Sequence, residues 1–133
     1  METFQPREVL IVDDDADNNL FCRMAVKSVV KTDIRDFTDP DEALRYLKEN
    51  TPEGPKDSVL FLDLNMPSMT GWDFLEYCSR LDSFIDRRYR IFILSSSVDE
   101  KDSEKAKAHG MVEDYLEKPL TKPKLKKILG LKD

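Results

Sequence analysis

The sequence predicts an α/β fold in which helices cover both faces of a parallel sheet. Three short apolar runs, at residues 9–12, 59–62 and 91–94, are continuous rather than alternating. Strands that are buried on both faces have this pattern, and such strands are typically parallel. Helical patterns separate the three runs, and this alternation of strand and helix is typical of the α/β class.

Two weaker strand candidates bring the predicted number of strands to five. Residues 33–37 alternate polar and apolar side chains, and residues 113–116 are short and mixed. Apolar side chains at helical spacing predict helices over residues 18–30, 72–81 and 121–129. A capped start with acids in the first turn predicts a helix over residues 38–50, and a polar segment that ends before Gly110 predicts one over residues 99–109. The second helix has Pro40 in its first turn, and Gly110 follows the fourth helix. Both residues are common at these helix boundaries.

Length and composition exclude several classes of protein. A chain of 133 residues fits one domain, so we expect a single domain over residues 1–133 with a core at about 7–129. No apolar run approaches the ~20 residues of a membrane span, and the N-terminus does not resemble a secretory signal. A net charge of −6 disfavours non-specific nucleic-acid binding. We expect a cytoplasmic protein in which Cys22 and Cys78 are buried thiols, with a disulfide as the alternative.

Polar residues follow four of the five predicted strands. Asp13 and Asp14 follow the first run, and Asp63 follows the third strand. Ser95 follows the fourth strand, and Lys118 follows the fifth. Because ligands in open α/β sheets bind beyond the carboxyl ends of the strands, these side chains form the candidate site.

The chemistry of this set points to phosphoryl transfer. Clustered carboxylates repel one another unless a cation lies among them, and oxygen ligands of this kind suit Mg²⁺. The metal, a hydroxyl and an ammonium could together neutralise a phosphoryl group. One carboxylate would then be free to act as the nucleophile that forms an aspartyl phosphate.

The sequence resembles the receiver domains of two-component response regulators over residues 7–129. Its motifs are VLIVDDD (9–15), LFLDLNMPSMTGWDFL (60–75), IFILSSS (91–97) and LEKPL (116–120). The resemblance implies a flavodoxin-like fold with five helices and a five-stranded parallel sheet in the order 2-1-3-4-5. It also implies a phosphorylation-activated switch in a two-component or phosphorelay system.

The resemblance implies a role for each residue of the acidic site. Asp63 matches the phosphoacceptor, which takes its phosphoryl group from a phosphohistidine donor. Asp13 and Asp14 match the acidic pair that holds Mg²⁺, Asp14 directly and Asp13 through water. The backbone carbonyl of Asn65 matches a further metal ligand.

The resemblance also implies roles beyond metal binding. Ser95 and Lys118 match the residues that contact the phosphoryl group, and a cis peptide is expected between Lys118 and Pro119. Tyr115 matches the aromatic switch that follows Ser95 and changes the face made by helix 4, strand 5 and helix 5. Asn65 and Ser97 match positions that tune dephosphorylation.

The implied partners are a histidine kinase or histidine phosphotransfer protein and a downstream protein target. Because the sequence ends soon after the fifth helix, we expect a stand-alone, chemotaxis-regulator-like receiver without direct DNA binding. Such a protein catalyses only its own phosphoryl transfer and autodephosphorylation and is not otherwise an enzyme.

Two alternatives remain at the level of sequence. A small phosphatase of the haloacid-dehalogenase type would use Asp13 and Asp15 as a D-x-D motif. That motif wants Thr or Val where Asp17 stands, and it leaves Asp63 without a role. The second alternative is a degenerate receiver that serves only as a docking module.

Overall fold

The computed structural model describes residues 5–50, 58–81, 89–96 and 99–130. The strands are β1 (Glu8–Val12), β2 (Asp33–Phe37), β3 (Ser58–Asp63), β4 (Tyr89–Ser95) and β5 (Val112–Glu117). The helices of the described residues are α1 (Ala16–Lys27), α2 (Pro40–Glu49), α3 (Gly71–Arg80), α4 (Glu100–Ala108) and α5 (Lys122–Leu129).

The five strands form one parallel sheet in the order β2-β1-β3-β4-β5. This confirms the α/β class that the sequence pattern predicts and the flavodoxin-like strand order that the family resemblance implies. The register places Val12 opposite Leu62, Asp63 opposite Leu94, and Ser95 opposite Glu117. The carboxyl ends of β1, β3, β4 and β5 therefore lie at similar heights along one edge of the sheet.

Helix α1 begins two residues earlier than the apolar spacing predicts, at Ala16 instead of Asn18. The reason is local: the Asp15 side chain accepts hydrogen bonds from the backbone N–H groups of Asp17 and Asn18. An N-cap carboxylate of this kind satisfies donors that would otherwise lack intrahelical partners. The helix also ends earlier than predicted, at Lys27.

The sheet divides the core into two clusters, one on each face. Successive residues of β1 point in opposite directions, so Leu10 and Val12 belong to one cluster, and Val9 and Ile11 belong to the other. The first cluster includes apolar residues of α2 and α3, and the second includes residues of α1 and α5. Each fully buried Leu, Ile, Val or Phe contributes about 1.5–3 kcal/mol. Both faces of the central strands are therefore covered.

The two cysteines lie in different clusters, Cys22 in the one with α1 and Cys78 in the one with α3. Both are buried free thiols, which confirms the prediction and rules out the alternative of a disulfide between them. Burial raises the pKa of each thiol to about 12, and the negative charge of Asp13 adds to the shift at Cys22.

No helix among the described residues combines the length and apolar character that crossing a membrane requires.

Candidate functional site

Four strand ends bring the predicted site residues together at one edge of the sheet. Asp13 directly follows β1, and Asp63 is the last residue of β3. Ser95 is the last residue of β4, and Lys118 directly follows β5. The parallel register, in which these ends are aligned, is what converts residues far apart in sequence into one site.

Three carboxylates form the acidic part of the site. Asp13, Asp14 and Asp63 each offer an oxygen within 4.8 Å of the others. Asp13 and Asp63 are only 2% and 4% exposed, whereas Asp14 is exposed. This arrangement of oxygen donors fits a hard divalent cation such as Mg²⁺.

Lys118 bridges the two buried carboxylates. Its Nζ lies 2.7 Å from Asp13 Oδ2 and 3.1 Å from Asp63 Oδ1. Its backbone N–H donates to the carbonyl of Ser95 at 2.7 Å, and a cis peptide joins it to Pro119, as predicted. Burial lowers the pKa of Lys118, but the hydrogen bonds and charges of Asp13 and Asp63 outweigh burial and raise it above its ordinary value. Lys118 is therefore held as a cation.

Asp63 is the carboxyl that this environment perturbs most clearly. Burial raises the pKa of Asp63 to about 6, and the negative charge of Asp13 acts in the same direction. Lys118 and a hydrogen bond from the backbone of Asn65 act in the opposite direction. Burial and the charge of Asp13 thus disfavour the ionised carboxylate of Asp63 more than Lys118 favours it. An added cation would favour the ionised form.

Gly71 allows the loop after β3 to fold tightly against the backbone of Asp63. Its N–H donates to the carbonyl of Leu64 at 2.8 Å. A Cβ atom on Gly71 would lie 2.8 Å from the carbonyl oxygen of Asp63 and 3.1 Å from the Cα of Leu64. Because both neighbours are backbone atoms, a side chain here would displace the segment that carries Asp63.

Ser95 and Tyr115 lie on the same face of the sheet. Tyr115 pairs with Ile93, which is two residues before Ser95 on β4, so the strand alternation gives all three residues the same direction. Ser95 is buried, and the half-buried Tyr115 packs against the cluster that contains Ile93. Ser95 and Tyr115 therefore lie on one surface of the sheet.

The remaining predicted residues flank this centre. Asn65 is exposed and lies two residues beyond Asp63, to which its backbone donates a hydrogen bond. Ser97 lies outside the described residues, so its predicted role in dephosphorylation stays a prediction.

A family model of the response regulator receiver domain matches residues 9–130. The chain belongs to this family. Membership makes this receiver domain a phosphorylation-activated signalling switch and does not support the phosphatase alternative. Asp15, which that alternative needs in its D-x-D motif, uses its side chain to cap α1.

Solved structures of other receivers share the fold. A two-component response regulator from Cytophaga hutchinsonii is 28% identical with a TM-score of 0.86, over 95% of this chain and 96% of that chain. A response regulator receiver protein from Dyadobacter fermentans is 32% identical with a TM-score of 0.80, over 92% and 94% of the two chains. CheY4 from Vibrio cholerae is 23% identical with a TM-score of 0.76, over 94% and 97%, and this likeness concerns the fold alone. A search of curated proteins finds no match to this chain.

Two asparagines of the receiver site are missing from the sequence-based prediction. The side chain of Asn18 donates to Asp13 Oδ2, and the side chain of Asn19 donates to the carbonyls of Asp13 and Phe37. Both asparagines are buried. One feature of the sequence could have identified them. The two asparagines stand near the start of an amphipathic helix, directly after the acidic run, at positions where apolar residues are expected to face the core.

Proposed function

We propose that Asp63 is the phosphoacceptor of this receiver and that its donor is a phosphohistidine of another protein. The observation that carries the proposal is the bridging position of Lys118 between Asp13 and Asp63. A carboxylate oxygen of Asp63 attacks phosphorus, an O–P bond forms, and the N–P bond of the donor breaks with its electron pair leaving on the imidazole. A cation beside the nucleophile stabilises the added negative charge.

We propose that Asp13, Asp14 and Asp63 hold Mg²⁺ together with the backbone carbonyl of Asn65. The closeness of the three carboxylates and the raised pKa of Asp63 support this, because both describe excess negative charge at the site. Bound Mg²⁺ would supply positive charge for the phosphoryl oxygens. We expect Asp14 to be a direct ligand and Asp13 to act through water, since Asp13 already accepts hydrogen bonds on both oxygens.

Lys118 and Ser95 are proposed to contact the phosphoryl group once it is on Asp63. The ammonium of Lys118 is already 3.1 Å from Asp63 Oδ1, so a small movement suffices to pair it with a phosphoryl oxygen. Ser95 lies at the end of the neighbouring strand, where its hydroxyl can donate to another oxygen. These contacts neutralise the group that the reaction adds.

The output is proposed to run from Ser95 to Tyr115. If Ser95 moves toward the phosphoryl group, space opens along the face that the two residues share, and the Tyr115 ring can turn inward. An aromatic ring with a polar tip changes both the shape and the polarity of the surface that it leaves. The face made by α4, β5 and α5 would then favour the downstream protein target, which shifts the equilibrium further.

The donor is proposed to be a histidine kinase or a histidine phosphotransfer protein. Beside the acidic edge, α1 presents Leu20, Phe21 and Met24, which are 53%, 58% and 59% exposed. A donor histidine must reach Asp63 from this edge, so its protein would cover the patch. Apolar patches next to a reaction site are typical of protein contacts.

We propose autodephosphorylation as the reset, tuned by Asn65 and Ser97. Water attacks the same phosphorus, and the O–P bond to Asp63 breaks. The chain would then act as a single receiver domain that catalyses only its own transfer and reset. A reducing, cytoplasmic location suits its two free thiols.

Labelling with acetyl phosphate and Mg²⁺, followed by intact mass measurement, tests the acceptor assignment. We expect one added phosphoryl group on the unaltered chain and none on Asp63→Asn. The matched control is Asp15→Asn, which removes a charge from the same acidic run but keeps an N-cap residue for α1. Full labelling of Asp63→Asn would refute the assignment. Loss of labelling in Asp15→Asn would show that the cap residue takes part in the chemistry.

A further inference from the structure

Asn18 is a buried amide at the start of α1 that faces the acidic site. Its Nδ2 lies 2.5 Å from Asp13 Oδ2 and 3.8 Å from the sulfur of Cys22. A hydrogen bond from an amide to a charged carboxylate is stronger than one between two neutral groups. A buried amide with this orientation points to a role at the carboxylate.

Every polar atom of Asp13 has a partner, and these partners differ in kind. Oδ1 accepts the backbone N–H of Asp15 at 2.9 Å. Oδ2 accepts both Asn18 and the ammonium of Lys118, the latter at 2.7 Å. The backbone carbonyl accepts the Asn19 side chain at 3.0 Å, and the backbone N–H donates to Phe37 at 3.1 Å. The carboxylate orientation is therefore set by three donors.

Two of these three donors belong to α1 and its cap, and one is a cation shared with Asp63. Phosphorylation of Asp63 would bring more negative charge to Lys118 and draw the ammonium toward the phosphoryl group. The ion pair between Lys118 and Asp13 would then weaken, while the Asp13 carboxylate stays buried. A buried carboxylate oxygen without a donor is costly, and Asn18 is the donor that would remain at Oδ2.

We propose that Asn18 is a positioning residue that holds the Asp13 carboxylate in its metal-binding orientation, whether or not Lys118 is paired with it. The inference rests on the proposed function, because it assigns to Asn18 a part in the Mg²⁺ site. Asn18 acts through Asp13 and does not itself contact the metal. Removing a hydrogen bond that orients a metal-binding group typically lowers metal affinity by ~10–100-fold.

Two variants separate the hydrogen bond from packing. Asn18→Ala removes the amide and leaves space, whereas Asn18→Leu removes the donor and keeps a branched side chain with the same number of heavy atoms. The control is Val26→Ala on the same helix, because Val26 is fully buried in the core and lies two turns beyond Asn18. It should destabilise the protein by ~0.5–3 kcal/mol through loss of apolar packing.

Isothermal titration of MgCl₂ into each full chain measures the Mg²⁺ affinity, and a thermal melt of the same sample measures stability. Together they separate a role in positioning Asp13 from a role in packing. We expect both Asn18 variants to bind Mg²⁺ at least ~10-fold more weakly. Val26→Ala should have a lower melting temperature with its Mg²⁺ affinity within about twofold of the unaltered chain, because it does not touch the site. Unchanged affinity in either folded Asn18 variant, or an equal loss in Val26→Ala, would overturn the positioning role. Failure of the unaltered chain to bind Mg²⁺ would instead refute the metal site of the proposed function, and the inference with it.

Discussion

Asp63→Asn should make the metal-free protein more stable, although it removes the proposed acceptor. Burial and the charge of Asp13 raise the pKa of Asp63 from 3.8 to about 6, so its ionised form is disfavoured in the folded state. This difference corresponds to about 3 kcal/mol at a pH above both values. Asn has the same size and no charge, and it leaves Lys118 paired with Asp13 alone.

We expect Asp63→Asn to increase the free energy of unfolding by about 1–3 kcal/mol at pH 7.5. For a domain of this size, each kcal/mol corresponds to about 4 °C in melting temperature. The expected gain is therefore about 4–12 °C. The lower end applies if the site relaxes when the charge is removed.

The pH dependence of the free energy of unfolding tests the direction of this effect independently. Between pH 3.8 and about 6, the folded chain holds the Asp63 proton more tightly than the unfolded chain does. This residue's contribution to stability therefore decreases as the pH rises through that window, and it is constant above it. The difference between the variant and the unaltered chain should be small near pH 4 and complete above pH 6.

Urea unfolding in EDTA at several pH values provides the measurement. Asp39→Asn is the matched control, because Asp39 is an exposed N-cap of α2 and Asn caps a helix equally well. Addition of Mg²⁺ should reduce the difference, since a bound cation stabilises the unaltered chain by mass action. A variant that is less stable at pH 7.5 in EDTA, or a difference that does not grow between pH 4 and 6, would refute the argument.

Variants at three further residues test other parts of the site. Asp14→Ala should weaken Mg²⁺ binding by ~10-fold or more in titration calorimetry. If Asp14→Ala binds Mg²⁺ as tightly as the unaltered chain, Asp14 is not a metal ligand. Asp14→Asn should raise the melting temperature in EDTA by less than Asp63→Asn does, because Asp14 is exposed. Gly71→Ala should lower the free energy of unfolding in urea by ~1–3 kcal/mol, because the added Cβ would lie too close to the backbone of Asp63. An unchanged urea midpoint would show that the loop can move to accommodate the Cβ without cost. Tyr115→Ala should keep the rate of Asp63 phosphorylation within about twofold, because the ring packs against the core cluster and is not part of the acidic site. It should reduce phosphorylation-dependent binding of a partner in a pull-down, because Tyr115 belongs to the proposed output face. Normal, phosphorylation-dependent binding by Tyr115→Ala would place the switch elsewhere on that face.

The core and the order of elements follow from local patterns. Continuous apolar runs such as residues 59–62 predict strands that are buried on both faces, and β3 is buried along its whole length. The edge strand β2 alternates and is only partly buried, as its mixed pattern indicates. Helix boundaries are less accurate, because the start of α1 depends on a hydrogen bond from the Asp15 side chain and not on apolar spacing.

Local sequence patterns are sufficient to predict the α/β class and the candidates Asp13, Asp63, Ser95 and Lys118, because each candidate stands one or two residues beyond a predicted strand. The bridge that Lys118 makes between two carboxylates, and the hydrogen bonds of Asn18 and Asn19 to Asp13, could not be predicted from these patterns. The sequence indicates which side chains follow each strand, but the distances between these side chains depend on the register of four strands and on the direction of α1. Register and helix direction are set by burial of the whole core, so these distances are known only once all the elements are packed together.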